Sequence, residues 1–451
     1  MRAAAALAAT ASGASTRLTQ RVAAWRARVA LSPPSVPPLS PSSPQQPRRR
    51  RRGAASLAAA SFSTAAADPP ASTPKPTPYP HPIVYHPDFT INPIPDGHRF
   101  PMPKDALLYR ALAAAGAPRV FEPRPATRDD LCLAHAPAYV DAFLSGGGLP
   151  PKDMRRIGLP WSPELVRRTL AGVGACVLAA RLATQLGLAV TTNGGTHHAH
   201  RDRGSGFCVF NDLAVAAMRS QADGLVKRCF FVDLDVHQGD GTASIFARDA
   251  SVYTLSVHCG AQAFPEPFAG DMDVALPAGA GDDEYMRALE GALPRAWAEF
   301  EAAAAAAAGG GRGVEEEGEG RGGAAIGAGV NVAAAVPALV LYNAGVDVHE
   351  GDDLGRLRLT DGGLARRDRF VLDFFAERGV PLCAAIGGGY DLRDHGAIVG
   401  RHLHLHRAAG EAFGRYAAAA DARRAGALAA RAAAGRPRRG AAGAEAAAAT
   451  V

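Results

Sequence analysis

The chain has 451 residues, 47% of them hydrophobic, and a formal net charge of +6. That length and apolar content allow one large α/β domain or two smaller ones, and no uninterrupted apolar run of about 18 residues marks a membrane span. The charge belongs to the ends: residues 1–67 hold ten arginines and no acid, the chain from Ala417 onward carries +4, and residues 68–416 carry −8, which excludes the basic surface expected of a nucleic-acid-binding core.

Residues 1–75 are rich in Ala, Ser, Arg and Pro, with no acid before Asp68. This is the composition of an organelle transit peptide, for a mitochondrion or a chloroplast. PRRRRRG (Pro47–Gly53) also fits a nuclear localisation signal or a disordered basic arm. Six widely spread cysteines without a CxxC argue against a disulfide framework or a thiolate metal site, and for a reducing compartment.

A folded domain is expected over 76–416, opening near IVYHPDFTINPIPDGHRFPM (Ile83–Met102). KDALLYRALAAAG (Lys104–Gly116) reads as a helix ending at glycine. The segment Ser162–Gly187 reads as a second helix, with Ser162 as its cap. Short apolar runs follow, each ending in polar residues and glycine: LAVTTNGG (Leu188–Gly195), CFFVDLDVHQGDG (Cys229–Gly241), VYTLSVH (Val252–His258), ALVLYNAGVD (Ala338–Asp347) and VPLCAAIGGGY (Val380–Tyr390). Strands alternating with helices predict an α/β fold, a mostly parallel central sheet flanked by helices on both faces. Residues 302–335 read as a low-complexity surface insertion, and 417–451 as a low-complexity tail, disordered or a frayed helix.

In an open parallel sheet, ligands bind beyond the carboxyl ends of the strands. GGTHH, DLDVH, AGVDVHEGDD and GGGY would all fall on that edge. Adjacent side chains point apart on a strand or a helix. His197 and His198 can share a place only in an irregular, glycine-rich loop. Asp235 and His237, at i and i+2, point to one side of an extended segment and can share a divalent ion. One more ligand completes the three-residue site of catalytic zinc, with Asp347, Asp352 and Asp353 as candidates. Each motif alone is common by chance; their joint placement carries the reading.

GGTHHAHRDRGSGFCVFND (Gly194–Asp212), FVDLDVHQGDGTA, AGVDVHEGDDLGRLRLT and AIGGGY, in that order, resemble the histone deacetylase family of the arginase/deacetylase fold. The resemblance covers about Ile83 to His406. Gln238 in HQGDG and the RFPM segment resemble class IV members. The resemblance implies one Zn2+ held by Asp235, His237 and Asp352, the last because it fills the aspartate of the family's GDxLG stretch. It implies His197 paired with Asp233, His198 paired with Asp240, and Tyr390 polarising the substrate carbonyl. Gly206, Phe207 and Phe264 would line the channel for an acyl-lysine, and K+ could bind near Asp233–His237 and Ser256. His198 would move the proton, His197 would stabilise charge, and a paired aspartate would raise the basicity of each ring.

The implied activity is hydrolysis of acyl-lysine in a protein substrate, a histone or an organellar protein, without nucleic-acid or membrane binding by the core. Two other readings stand beside it: an amidohydrolase of small acetylated amines such as polyamines, and a catalytically silent binding module. The two-metal arginase pattern is a poorer match, because Asp240 stands one place too late for DxHxD.

Overall fold

The computed structural model describes residues 78–146, 148–262, 267–309 and 336–434. The arm to residue 75, Phe264, residues 310–335 and the chain beyond 434 lie outside the described residues.

Eight strands form one sheet: β1 (Ile83–Val84), β2 (Val120–Phe121), β3 (Leu188–Thr191), β4 (Val226–Asp233), β5 (Val252–Cys259), β6 (Met272–Leu276), β7 (Val336–Asn343) and β8 (Leu382–Ala385). Their order is β2-β1-β3-β8-β7-β4-β5-β6, and every neighbouring pair is parallel. All four residues of β3 and all four of β8 are buried. Successive side chains face opposite sides of a sheet, so unbroken burial means that both faces are covered, as parallel sheets require. This is the helix-flanked α/β architecture expected from the run of apolar segments.

The helix Pro163–Leu186 shows why the chain folds this way locally. Ser162 Oγ accepts the Leu165 amide at 3.0 Å, Pro163 takes the first turn, and Gly187, at φ +95°, ends the helix. The helix is long and apolar enough to cross a membrane by composition, but it packs against β3 and β8 in the core.

Two Ala-rich stretches extend regular helices. Helix Asp282–Gly309 has Asp282, Asp283 and Glu284 in its first turn and includes residues 302–309 of the segment read as an insertion. Helix His395–Ala434 continues past Tyr416, with Tyr416 and Ala420 buried. Arg424 donates to the Gln185 carbonyl and Arg423 to that of Gly379.

Register positions the site. Asp233 ends β4 and pairs with Asn343, which ends β7; Asn343 pairs in turn with Ala385, which ends β8. Val190, one residue from the end of β3, pairs with Ala384. Four central strands therefore stop on one line, and their loops leave from the same edge.

Candidate metal centre and active site

Beyond the end of β4, Asp235 and His237 face β7's continuation, where Asp347 lies four residues past Asn343. Ligand atoms of Asp235, His237 and Asp347 lie within 4.8 Å of one another. His237 Nδ1 is 3.2 Å from Asp235 Oδ1 and 3.5 Å from Asp347 Oδ2. Both carboxylates are almost fully buried. Asp347 Oδ1 accepts the Val236 amide at 2.9 Å, while its Oδ2 is buried without a hydrogen-bond partner. An orphaned buried carboxylate oxygen is costly unless a cation meets it. Two carboxylates and one imidazole are a donor set that suits zinc, with a fourth position left for water or substrate.

The buried groups of the cluster shift one another strongly. Burial and the Asp235 charge push the Asp347 carboxyl up to about 6. Burial raises Asp235 too, but the His197 and His237 rings outweigh it and hold that carboxyl well below its usual range. Burial depresses His237, yet its two carboxylate neighbours carry it up to about 10. The His237 ring itself thus stands as the cation between the two carboxylates, the place a divalent ion would take.

The third carboxylate of the cluster is thus Asp347, whereas the GDxLG resemblance implied Asp352. Asp352 lies nine residues past the end of β7 and closes its own turn. Its Oδ1 accepts the Leu354 and Gly355 amides at 2.9 and 2.8 Å, and its Oδ2 accepts the Tyr390 amide at 2.7 Å. Asp353 likewise accepts the Leu392 amide, at 2.8 Å.

The tandem histidines sit beside the cluster, ring centroids 4.0 Å apart. His197 Nδ1 is 2.6 Å from Asp233 Oδ2, and His198 Nδ1 is 2.6 Å from Asp240 Oδ1. A carboxylate only accepts, so Nδ1 of each ring carries the proton and Nε2 is the basic nitrogen. Burial lowers both rings. For His197, the Asp233 and Asp235 carboxylates overcome it and raise the ring to about 9. His198, beside that charged ring, goes down to about 3 despite Asp240. The His197 Nε2 lies 3.6 Å from Asp235 Oδ1. The two rings therefore differ in charge although they are neighbours in sequence.

Close packing of loop backbones explains the glycines. A Cβ on Gly195 would fall 2.4 Å from Asn343 Oδ1 and 2.6 Å from Gly387 Cα. A Cβ on Gly388 would fall 2.3 Å from Asp347 Oδ2 and 2.6 Å from Asp235 Oδ2, and the Gly388 amide donates to Asp235 Oδ2 at 2.9 Å. Gly388→Ala should therefore displace both carboxylates. We expect a loss of about 10–100-fold in Zn2+ affinity at a cost of about 1–3 kcal/mol in stability, read by calorimetric titration and melting. Unchanged affinity would show that the cluster tolerates the extra methyl.

Phe207 is the one non-glycine residue with positive φ among the described residues, at +66°. Such strain persists only where the surroundings impose it. Its amide donates to the Ile157 carbonyl at 2.7 Å, and that of Gly206 to the Arg156 carbonyl at 3.1 Å. The Phe207 ring lies 5.5 Å from Phe100 and 6.1 Å from Tyr390. These three rings line a pocket that also reaches His197, His198, Asp235 and His237. Ser256, named for K+, accepts the Gly239 amide at 3.4 Å and contacts His258 Nδ1 at 3.0 Å.

Several supporting residues have no role assigned from the sequence. Asp212 Oδ1 accepts the Gly195 and Thr196 amides, and Asn211 Nδ2 donates to the His197 carbonyl; both belong to the FND end of the tandem-histidine stretch. Asn343 Nδ2 donates to Asp233 Oδ1 at 3.0 Å. The buried Arg367 donates to the carbonyls of Leu234, Ala344 and Gly345, directly behind the Asp235 and Asp347 loops. Lys104, buried on the pocket wall, donates to the Gly387 carbonyl at 2.7 Å.

The profile of the Histone deacetylase domain family matches residues 98–320 and 329–405. An uncharacterised protein of Picosynechococcus sp. is 43% identical over 335 residues, 74% of this chain and 99% of the relative. Histone deacetylase 2 of Arabidopsis thaliana is 29% identical over 60% of this chain and 63% of its own length. The acetoin utilization protein AcuC of Bacillus subtilis is 29% identical over 49% of this chain and 62% of its own. The crystal structure of the HDA15 HD domain has a similar fold, with a TM-score of 0.55 and 21% identity over 77% of this chain and all of that one.

Proposed function

The chain belongs to the histone deacetylase family and shares its hydrolytic deacetylase character, and on that footing we propose that it is a zinc-dependent hydrolase of acyl-lysine side chains in proteins. One observation carries this reading: two His–Asp pairs flank a cluster of Asp235, His237 and Asp347 at the end of an aromatic-lined pocket.

Asp235, His237 and Asp347 would hold the ion. When bound, zinc supplies a Lewis acid that polarises the amide carbonyl and acidifies a water. The chain's own groups do the rest. Phe207 and Phe100 flank the apolar lysine stem, which suits a narrow aromatic passage. His198, its Nδ1 proton committed to Asp240, takes a proton at Nε2 and later returns one to the leaving amine. His197 holds positive charge between Asp233 and Asp235, and so offsets negative charge that develops nearby. Burial pushes the Tyr390 phenol well above its usual value, so it stays protonated and donates to the oxyanion.

The full chain is tested on a panel of acetyl- and longer acyl-lysine peptides and on N-acetylated polyamines, with and without a chelator. Turnover of peptides that a chelator abolishes and Zn2+ restores is the expected result. Turnover of polyamines alone would move the substrate class to small amines. No turnover by zinc-loaded protein would sink the hydrolase reading in favour of a silent binding module.

A further inference from the structure

We propose that Asp352 is a positioning residue for Tyr390, tying the loop that carries Asp347 to the turn that carries the phenol. The role of Tyr390 itself rests on the reading above. The turn is Gly387-Gly388-Gly389-Tyr390, with φ of +68° at Gly387 and +158° at Gly389. Three glycines supply no side chain to fix a conformation and have the most backbone freedom to lose. Their geometry must come from hydrogen bonds to the peptide groups, and the partners come from the site. Gly387 N–H donates to the Gly194 carbonyl, Gly388 N–H to Asp235, and the Gly388 carbonyl accepts the Val346 amide at 2.8 Å.

At Tyr390 the grip is double. Its N–H donates to Asp352 Oδ2 at 2.7 Å, and its carbonyl accepts the Asp353 amide at 2.8 Å. Leu392, two residues on, is caught as well, because its N–H donates to Asp353 Oδ2. Asp352 divides its oxygens: Oδ1 closes its own turn on Leu354 and Gly355, and Oδ2 reaches across 38 residues of sequence to Tyr390. At 2.7 Å the Tyr390 amide and the Asp352 oxygen form a short, well-made hydrogen bond. Losing it frees the turn to rotate, and displacement of a catalytic group by about 1 Å can cost about 100-fold in rate.

Asp352→Asn separates the two duties. Its amide oxygen can still close the Leu354–Gly355 turn, while its NH2 meets the Tyr390 N–H donor to donor. In the full chain with Zn2+, kcat on an acetyl-lysine peptide should fall by about 10- to 100-fold, with KM and zinc content unchanged. In a Tyr390→Phe background the same substitution should cause no further loss, because Asp352 acts only through the phenol's placement. The Tyr390 backbone amide should also exchange with deuterium faster in Asp352→Asn than in wild type. An undiminished kcat, an additive loss in the double variant, or unchanged exchange overturns the proposal. Loss of zinc overturns it too, and returns Asp352 to the ligand set. A wild type that turns over no acyl-lysine peptide sinks the deacylase reading, and the exchange measurement then decides the tether alone.

Discussion

Asp347→Asn should leave the protein without its divalent ion and reduce turnover by about a thousandfold or more, if the ion contributes about 4 kcal/mol to the barrier. Asp347 brings one oxygen to the Val236 amide and leaves the other buried, without a hydrogen bond, 3.5 Å from His237 Nδ1. An asparagine can satisfy at most one of those positions, and it removes a charge from the donor set. Zinc content after dialysis and kcat on an acetyl-lysine peptide read the two consequences separately. Retention of stoichiometric zinc with normal turnover would mean that Asp347 is not a ligand, and that the third carboxylate lies elsewhere on the same loop.

His198→Ala should lower kcat by about 10²–10⁴-fold while zinc content and KM stay near wild type; the melting temperature falls too, because the buried Asp240 oxygen loses its partner. The asymmetry between the two histidines underlies the expectation. His197 lies with its Nε2 toward Asp235, so replacing it disturbs the ion's carboxylate as well as the charge balance. His198 pairs with Asp240 and stands 5.6 Å from the His237 ring, close to the reacting groups. Its loss should therefore show in kcat rather than in zinc content. Activity unchanged by His198→Ala would remove this ring from proton transfer.

The central strands were legible because each is a short apolar run ending in polar residues. β1 and β2, two residues each, are too short to show any period, and β6 is a five-residue edge strand with mixed burial. In the Ala-rich stretches composition did not show how far helix extends: repeated alanine reads as low complexity, yet alanine is the strongest helix former. Helices accordingly run to Gly309 and to Ala434.

Within the site, Asp233, Asp235, His237, His197, His198 and Asp240 stood out because the sequence sets them one or two residues apart or just after a strand. Asp347 and Asp352 could not be separated that way. Both follow β7 within ten residues, and only the fold shows which one turns back toward β4. Lys104, Asn343 and Arg367 act through partners roughly 20 to 280 residues away in sequence, and no local pattern reports such contacts.

The level line of strand ends has one more consequence. The chain enters β7 at Val336, the opposite end of an eight-residue strand from Asn343, roughly 25 Å from the site edge at about 3.3 Å per residue. β7 still pairs in continuous register with β4 and β8. β7 thus begins on the rim of the sheet opposite to the site. The start of β7 is therefore about a strand's length from the loops that carry the chemistry, and a change confined to Val336 acts on the sheet before it acts on the site.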